Sequence, residues 1–290
     1  MQPIIDTSLW LARKRRALAR PVGGADFLMR RAAEDLADRL GAVERKFGKA
    51  AVLFCQMPTA AGVLVESGKV LDIIRVEADA AFLGAGPGLV APFETVPFEP
   101  ESLDLVVSLL SLQAMNDIPG ILVQIRRALR PDGLLLGAFA GAGTLSELRE
   151  TLLAAETELY GGASPRVIPF TDVRDAGALL QRAGLALPVA DVETVTVRYD
   201  SLFGLIADLR AMGETNALLD RSRRPGTRKL FARAAEIYAE RFSDADGRVR
   251  ASFSIVWMSG WAPDISQQKP LKPGSAKVSL KTILENPGKR

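Results

Sequence analysis

Histidine is absent from this 290-residue chain and cysteine occurs once. The side chains that usually supply proton relays and metal ligands are therefore missing before any fold is considered. No Ser-His-Asp or Cys-His relay can be assembled, no zinc site of the common kinds, and no two-histidine-one-carboxylate iron centre. Cys55 falls in the apolar run Ala50 to Cys55, where a thiol is expected to be buried and inert rather than nucleophilic. Aspartate and glutamate alone could hold a metal, but no Glu-x-x-His spacing can occur. The chemistry left is the kind in which a cofactor or substrate arrives activated and the protein aligns the reacting groups.

The elements that would do the aligning are legible between Leu103 and Gly141. Val106, Val107, Leu109 and Leu110 form the short apolar run that a strand covered on both faces needs. Asn116 and Asp117 offer helix caps, and Ile118, Ile121, Leu122, Ile125 and Leu129 recur at helical spacing with Gln124, Arg126 and Arg127 opposite. Pro131 and Gly133 are expected to stop that helix, and Leu134 to Leu136 to open the next strand. Upstream, Ala25 to Phe47 carries Phe27, Leu28, Ala32, Leu36, Leu40 and Val43 on one side, which predicts an amphipathic helix. Ala50 to Cys55, Val70 to Val76 and Leu89 to Ala91 read as three further strands. Thr144 and Glu147 have the spacing of a capping box ahead of a helix through Glu158. Thr171 to Gly184 predicts another helix, with Gly184 as its stop. Val192 to Tyr199 and Ala251 to Met258 alternate as antiparallel strands do. Between them, Leu202 to Met212 and Lys229 to Phe242 predict two helices capping one edge of the sheet.

At 48% hydrophobic and 24% charged residues the chain can bury a full core. A lone cysteine excludes an intrachain disulfide and fits a reducing compartment, and no apolar run is long enough to span a bilayer. A soluble, cytoplasmic protein is expected. The opening SLWLARKRRALAR admits a transit-peptide reading, against which a structural helix is preferred. The net charge is +3 and the basic run has no interleaved aromatics, so no nucleic-acid partner is expected. The organisation predicted is an N-terminal helical segment (1–48), an α/β domain (49–262) with a helical cap at about 200–245, and a basic Pro/Gly/Lys tail (263–290) whose last residues are expected to be mobile.

A strand ending DLVVS, a helix, and then LRPDGLLL resembles the fourth strand, fourth helix and fifth strand of class I S-adenosylmethionine-dependent methyltransferases. SLQAMNDIPGILVQIRRALRPDGLLLGAFAG, TLSELRETLLAAETE, GGASPRVIPF, LLQRAGL, DLRAMGETNALL, GWAPD and PGSAKVSL together resemble one branch. That branch contains the mitochondrial complex I assembly factors of the arginine-hydroxylase type and their alphaproteobacterial relatives, with the malonyl-carrier-protein methyltransferases of biotin synthesis as more distant cousins. The resemblance covers nearly the whole chain, from Ile5 to Leu284. It implies an α/β, Rossmann-like mixed seven-stranded sheet with helices on both faces and a helical insert. It also implies S-adenosylmethionine as cofactor and a protein, a carrier-bound acid or a respiratory-complex subunit as partner. Methyl transfer suits a chain without histidine, because the sulfonium is already activated and in-line transfer needs no protein nucleophile.

In an open α/β sheet the ligand sits outside the carboxyl ends of the strands, where glycines let backbone amides approach it. The resemblance places Phe54, Cys55, Gln56 and Met57 after the first strand, Asp79 after the second, and Ser108, Leu109 and Leu110 at the end of the fourth on the cofactor. Asp79 would hold the ribose, and reads equally well as a helix cap. Gln113, Asn116, Ser164, Arg166, Glu214 and Asn216 would line the substrate rim; for GGASPRVIPF and MGETNALL a purely structural turn is an equal reading. No metal ligand set is expected. The chain departs from the family pattern at three places. Gln56, Met57, Pro58 and Thr59 stand where a Gly-x-Gly-x-Gly-like segment is expected. Pro92 stands where an Asp holds the adenine amine, and Leu112, Gln113 and Ala114 replace Leu-His-Trp. One lost charge-assisted hydrogen bond is worth about 1.5–3 kcal/mol, and two losses of that order take a micromolar site to roughly millimolar. Three readings stay open: a methyltransferase acting on a protein or carrier-bound substrate, a hydroxylase-type respiratory-complex assembly factor, and a non-catalytic partner-binding protein that keeps the fold.

Overall fold

The computed structural model describes residues 2–268; the mobile tail expected beyond them lies outside the described residues. Two helices, α1 (Thr7–Leu18) and α2 (Phe27–Ala42), lead into β1 (Phe47–Leu53), α3 (Thr59–Glu66), β2 (Val70–Glu77), the short α4 (Ala80–Leu83) and β3 (Leu89–Val90). Then come β4 (Leu103–Leu109), α5 (Ile118–Ala128), β5 (Leu129–Ala140), α6 (Ser146–Tyr160), α7 (Val173–Arg182) and β6 (Ala186–Tyr199). The described residues close with α8 (Leu202–Ala211), α9 (Arg228–Phe242) and β7 (Val249–Trp261). Among the described residues the seven strands lie in one sheet, ordered β3-β2-β1-β4-β5-β7-β6. The first five are parallel and β7 runs antiparallel to both neighbours.

The centre of the sheet is apolar without alternation because helices cover both of its faces. Ala51, Leu53, Val106, Leu135 and Phe139 pack under α5 and α7, with Ile121, Ile125 and Leu180. Their neighbours Ala50, Val52, Leu105, Val107 and Leu136 pack under α2 and α3, with Leu36, Leu40 and Leu64. A separate cluster joins α6, α8 and α9 to the ends of β6 and β7 through Leu152, Leu205, Leu230, Tyr238 and Phe253. The strand order reverses between β1 and β4, which opens a crevice at their carboxyl ends, the place where α/β sheets bind ligands.

Several elements end elsewhere than the sequence predicts. Helix α2 stops at Ala42 because Val43 is extended (φ −87°, ψ 113°). Lys69 Nζ then takes the orphan carbonyls of Leu40, Gly41 and Val43 at 2.7, 2.9 and 2.6 Å, which leaves Phe47 to open β1. Helix α5 ends at Ala128, before Pro131. Leu129 pairs with Leu103 and Leu134 with Leu105, so Arg130 to Gly133 bulge out of β5, a position that tolerates proline. Asp117 rather than Asn116 caps α5, accepting from Gly120 N at 2.8 Å. The capping box before α6 does not form. Thr144 Oγ1 exchanges hydrogen bonds with the Ser254 backbone at 3.1 and 3.0 Å, and Glu147 accepts from Ser252, so both residues tie α6 to β7. The arginine-rich N-terminus is a helix, capped by Asp6 and anchored by the buried Trp10.

Candidate functional site

The loop after β1 turns without glycine. Phe54 (φ 55°) and Gln56 (φ 62°) both take the left-handed conformation, which costs a side-chain-bearing residue on the order of 1 kcal/mol or more. Phe54 is driven inward, 1% exposed, with its ring edge-on to Phe93 at 5.2 Å. Phe93 lies 5.0 Å from Trp10 of α1. This aromatic stack bridges the β1 loop, the segment after β3 and the N-terminal helix.

Gln56 N–H donates to both oxygens of Glu77, at 2.9 and 3.1 Å. Glu77 is the last residue of β2 and is 0% exposed. It also accepts from Arg75 Nη2 at 3.2 Å, while the same guanidinium reaches the carbonyls of Phe82 and Leu83 at 2.7 and 3.2 Å. Burial outweighs the pull of Arg75 and pushes the Glu77 carboxyl up to about 7. Sequence reasoning passed over Glu77. Its signal was an acid closing the strand VLDIIRVE, hidden by Asp79 two residues on. Asp79 caps α4 by accepting from Ala81 N at 2.9 Å, and it pairs with Arg15 of α1 at 2.8 Å. The Ala81 N–H first, and then Arg15, hold its carboxyl below the ordinary range.

At the end of β4, Ser108 is buried against Ser111, Oγ to Oγ 3.1 Å. Leu109 N–H donates to Cys55 Sγ at 3.2 Å. Burial pushes the Cys55 thiol up to about 12, in line with the inert role expected of it. Leu110 (φ 54°) turns out of the strand.

This crevice opens into a cavity of about 670 Å³. Of the residues the sequence nominates, it brings Cys55, Gln56, Met57, Leu110, Gln113, Arg166, Glu214 and Asn216 to one wall system. Phe54, Ser108 and Leu109 lie in the core, and Asp79 faces α1 instead. Asn116 is turned away, accepting from the N–H groups of Ile4 and Ile5 at 2.9 Å each. Ser164 N–H and Oγ are bound to Glu156 at 2.9 and 3.2 Å. Most nominated rim groups are braces. Arg166 pairs with Glu156, whose carboxyl is raised by burial but pulled further down by Arg166 and Ser164. Glu214 holds Lys14 and accepts from Trp10 Nε1 at 3.3 Å. Asn216 donates to Pro165 O at 2.8 Å, and Gln113 to Leu110 O at 2.8 Å. What the sequence did not disclose is the apolar remainder of the wall, drawn from α2, α6, α8 and β7. Those residues carry only an amphipathic signal.

S-adenosylmethionine can be tested against these residues, and its adenosine half does not fit. The acid at the end of β2 has no accessible surface and the N–H of the first loop is already bonded to it. Phe54, Phe93 and Trp10 fill the space beside β1, and Asp79 is taken by Arg15. Among the described residues no group of three or more cysteine or acidic side chains could hold a metal ion, and no helix is long and apolar enough to cross a membrane.

A family model described as a methyltransferase domain matches residues 63–137. The chain is 42% identical over 207 residues to the mitochondrial arginine-hydroxylase NDUFAF5 of Homo sapiens, covering 70% of this chain and 60% of that protein. It is 44% identical over 186 residues to the Dictyostelium discoideum protein of the same name, covering 64% and 42%. To the malonyl-[acyl-carrier protein] O-methyltransferase of Laribacter hongkongensis it is 37% identical over 189 residues, covering 65% and 61%. The chain thus spans between 42% and 61% of the length of these relatives. Among solved structures, the YcgJ protein of Bacillus subtilis matches with a TM-score of 0.53 at 13% identity, over 80% of this chain and 99% of that one. A Bacillus halodurans protein matches with the same score at 15% identity, over 79% and 98%. These two are likenesses of fold alone.

Proposed function

Since the chain carries a class I S-adenosylmethionine methyltransferase domain and has arginine-hydroxylase and malonyl-carrier-protein methyltransferase homologues, we propose that it is a binding protein on a methyltransferase fold. In this reading it has given up the adenosine subsite and uses the remaining cavity to hold a ligand instead of transferring a methyl group. The observation that carries the proposal is Glu77. It is wholly buried and bonded to the Gln56 N–H, in the crevice where a cofactor's hydroxyls would need an accessible acceptor. A carboxylate that must meet a ligand keeps some surface for it; this one keeps none. The likeness to arginine-hydroxylase NDUFAF5 favours a subunit of respiratory complex I as the partner in whose assembly it serves.

Isothermal titration of the purified protein with S-adenosylmethionine and S-adenosylhomocysteine, after mass-spectrometric confirmation that no nucleoside co-purifies, tests the proposal. A dissociation constant no tighter than about 0.1 mM is expected, since two lost contacts of about 1.5–3 kcal/mol each weaken a micromolar site roughly 10²- to 10⁴-fold. A micromolar dissociation constant would overturn it.

A further inference from the structure

We propose that the 670 Å³ cavity binds a long-chain carboxylic acid, with the alkyl chain inside and the carboxylate at a basic rim. This rests on the reading above, that the cavity holds a ligand other than S-adenosylmethionine. Its size falls within the roughly 300–1,000 Å³ of small-ligand sites. Its inner wall is apolar and comes from separate elements: Met29 of α2, Leu148 and Leu152 of α6, Ile206 and Leu209 of α8, and Phe253 of β7.

The polar groups on the wall point the same way. Gln113, Asn216 and Glu214 already have partners within the protein and Arg166 pairs with Glu156, so that among the described residues of this wall only Gln56 Nε2 and Arg166 Nε are buried side-chain donors without one. A peptide entering here would bring more backbone N–H and C=O groups than those two donors can pair. An alkyl chain brings none. The charges select the head group. The cations that line the cavity are paired, Lys14 with Glu214, Arg30 with Asp26 and Arg166 with Glu156, so the positive charge left for a ligand lies at the mouth. At the mouth, Leu18 and Val22 line the opening while 44% and 56% exposed, and the exposed Arg16 and Arg20 stand in the same segment. A positive rim around an apolar bore fits a single-chain anion.

Delipidated full-length protein titrated with cis-parinaric acid, followed by its fluorescence, provides the assay. Saturation at one probe per chain with a micromolar dissociation constant is expected. Displacement should follow chain length, each added methylene tightening binding about fourfold until the bore is full, so laurate should compete about two-hundredfold better than octanoate. Ile206→Trp should weaken binding at least tenfold by filling the bore. Arg20→Glu, an exposed change that leaves packing alone, should weaken it several-fold and flatten its salt dependence. Absence of saturable binding, equal displacement by octanoate and palmitate, or indifference to both substitutions would overturn the proposal. Tighter binding of palmitoyl-coenzyme A than of palmitate would overturn its assignment to the free acid. The two readings fail separately: S-adenosylmethionine displacing the probe at micromolar concentration sinks the binding-protein reading itself, whereas a protein that takes neither compound sinks only this one.

Discussion

Removing the Glu77 side chain separates the two roles that a carboxylate at the end of β2 can have. As a structural tie it accepts from Gln56 N–H and pairs with Arg75, whose side chain is 9% exposed. Glu77→Ala leaves that N–H without an acceptor, at roughly 1–3 kcal/mol. It also strips a buried guanidinium of its acid, which in general costs roughly 3–5 kcal/mol. Arg75 retains the carbonyls of Phe82 and Leu83, so the second figure falls toward its lower bound or below. We expect about 3 kcal/mol in all at pH 8, well above the salt-insensitive scatter of surface changes. Urea unfolding followed by tryptophan fluorescence should show a midpoint lowered by about 1 M, for a slope of about 3 kcal/mol/M. The opposite result is equally clear. A carboxylate kept buried for the sake of a ligand is a standing cost to the free protein, and its removal would leave the midpoint unchanged or raise it. Either outcome would refute the structural assignment and return Glu77 to a cofactor site.

Titration of Glu77 provides a second check. Its carboxyl moves from an ordinary 4.5 to about 7, so the folded protein holds the proton more tightly than the unfolded chain. The stability this contributes is full below pH 4.5 and is lost as pH rises through 7; Glu77→Gln should flatten the stability profile across that window, as measured by urea unfolding at several pH values. Cys55, buried and pushed up to about 12, should resist a disulfide reagent at pH 8 for as long as the protein stays folded and react at once in denaturant; rapid labelling of native protein would show that the β1 loop opens. Tyr238 donates from its hydroxyl to Arg250 O at 2.7 Å, so Tyr238→Phe should cost about 1 kcal/mol in urea unfolding, and a neutral result would remove that bond from the link between α9 and β7. A Cβ at Gly141 would stand 2.2 Å from Val256 Cγ2, so Gly141→Ala should destabilise by about 1–3 kcal/mol, with Val256→Ala in the double variant relieving most of it.

The fold was legible where a single physical requirement acts. A strand covered on both faces must be apolar at every position, and Val106 and Val107 say so without help from their neighbours. Boundaries were less legible because the sequence offered two solutions and tertiary contacts chose between them. Pro131 reads as a helix stop, yet α5 ends before it when Leu129 finds Leu103 across the sheet. Thr144 and Glu147 have capping-box spacing, but β7 presents Ser252 and Ser254 to the same oxygens, and a strand's backbone is the stronger competitor. In the site, the family resemblance nominated Asp79 and left Glu77 unnoticed, because exposure cannot be read along a chain. Asp79 sits one turn into a connection, where α1 supplies Arg15 from 64 residues away.

The manner of filling explains how the sheet keeps its order around a β1 loop that turns without glycine. Cofactor loops of this kind need a bare backbone, and replacing glycine with Gln56 forces a left-handed turn on a residue that resists it. That strain persists only if something over-determines the turn. Glu77 does so from below, through the Gln56 N–H, and Arg75 holds Glu77 in turn. The aromatic stack of Phe54, Phe93 and Trp10 closes the turn from above, and α1 is fixed in place by Arg15 on Asp79 and Lys14 on Glu214. The backbone of the β1 loop is thus tied to β2, and Phe54 has become part of the core. The cavity onto which the loop opens has not. Gln113, Asn216, Glu214 and Arg166 brace its rim from within the chain, while Met29, Leu148, Leu152, Ile206, Leu209 and Phe253 keep its inner wall apolar, so the site retains room for a ligand where the cofactor edge has closed.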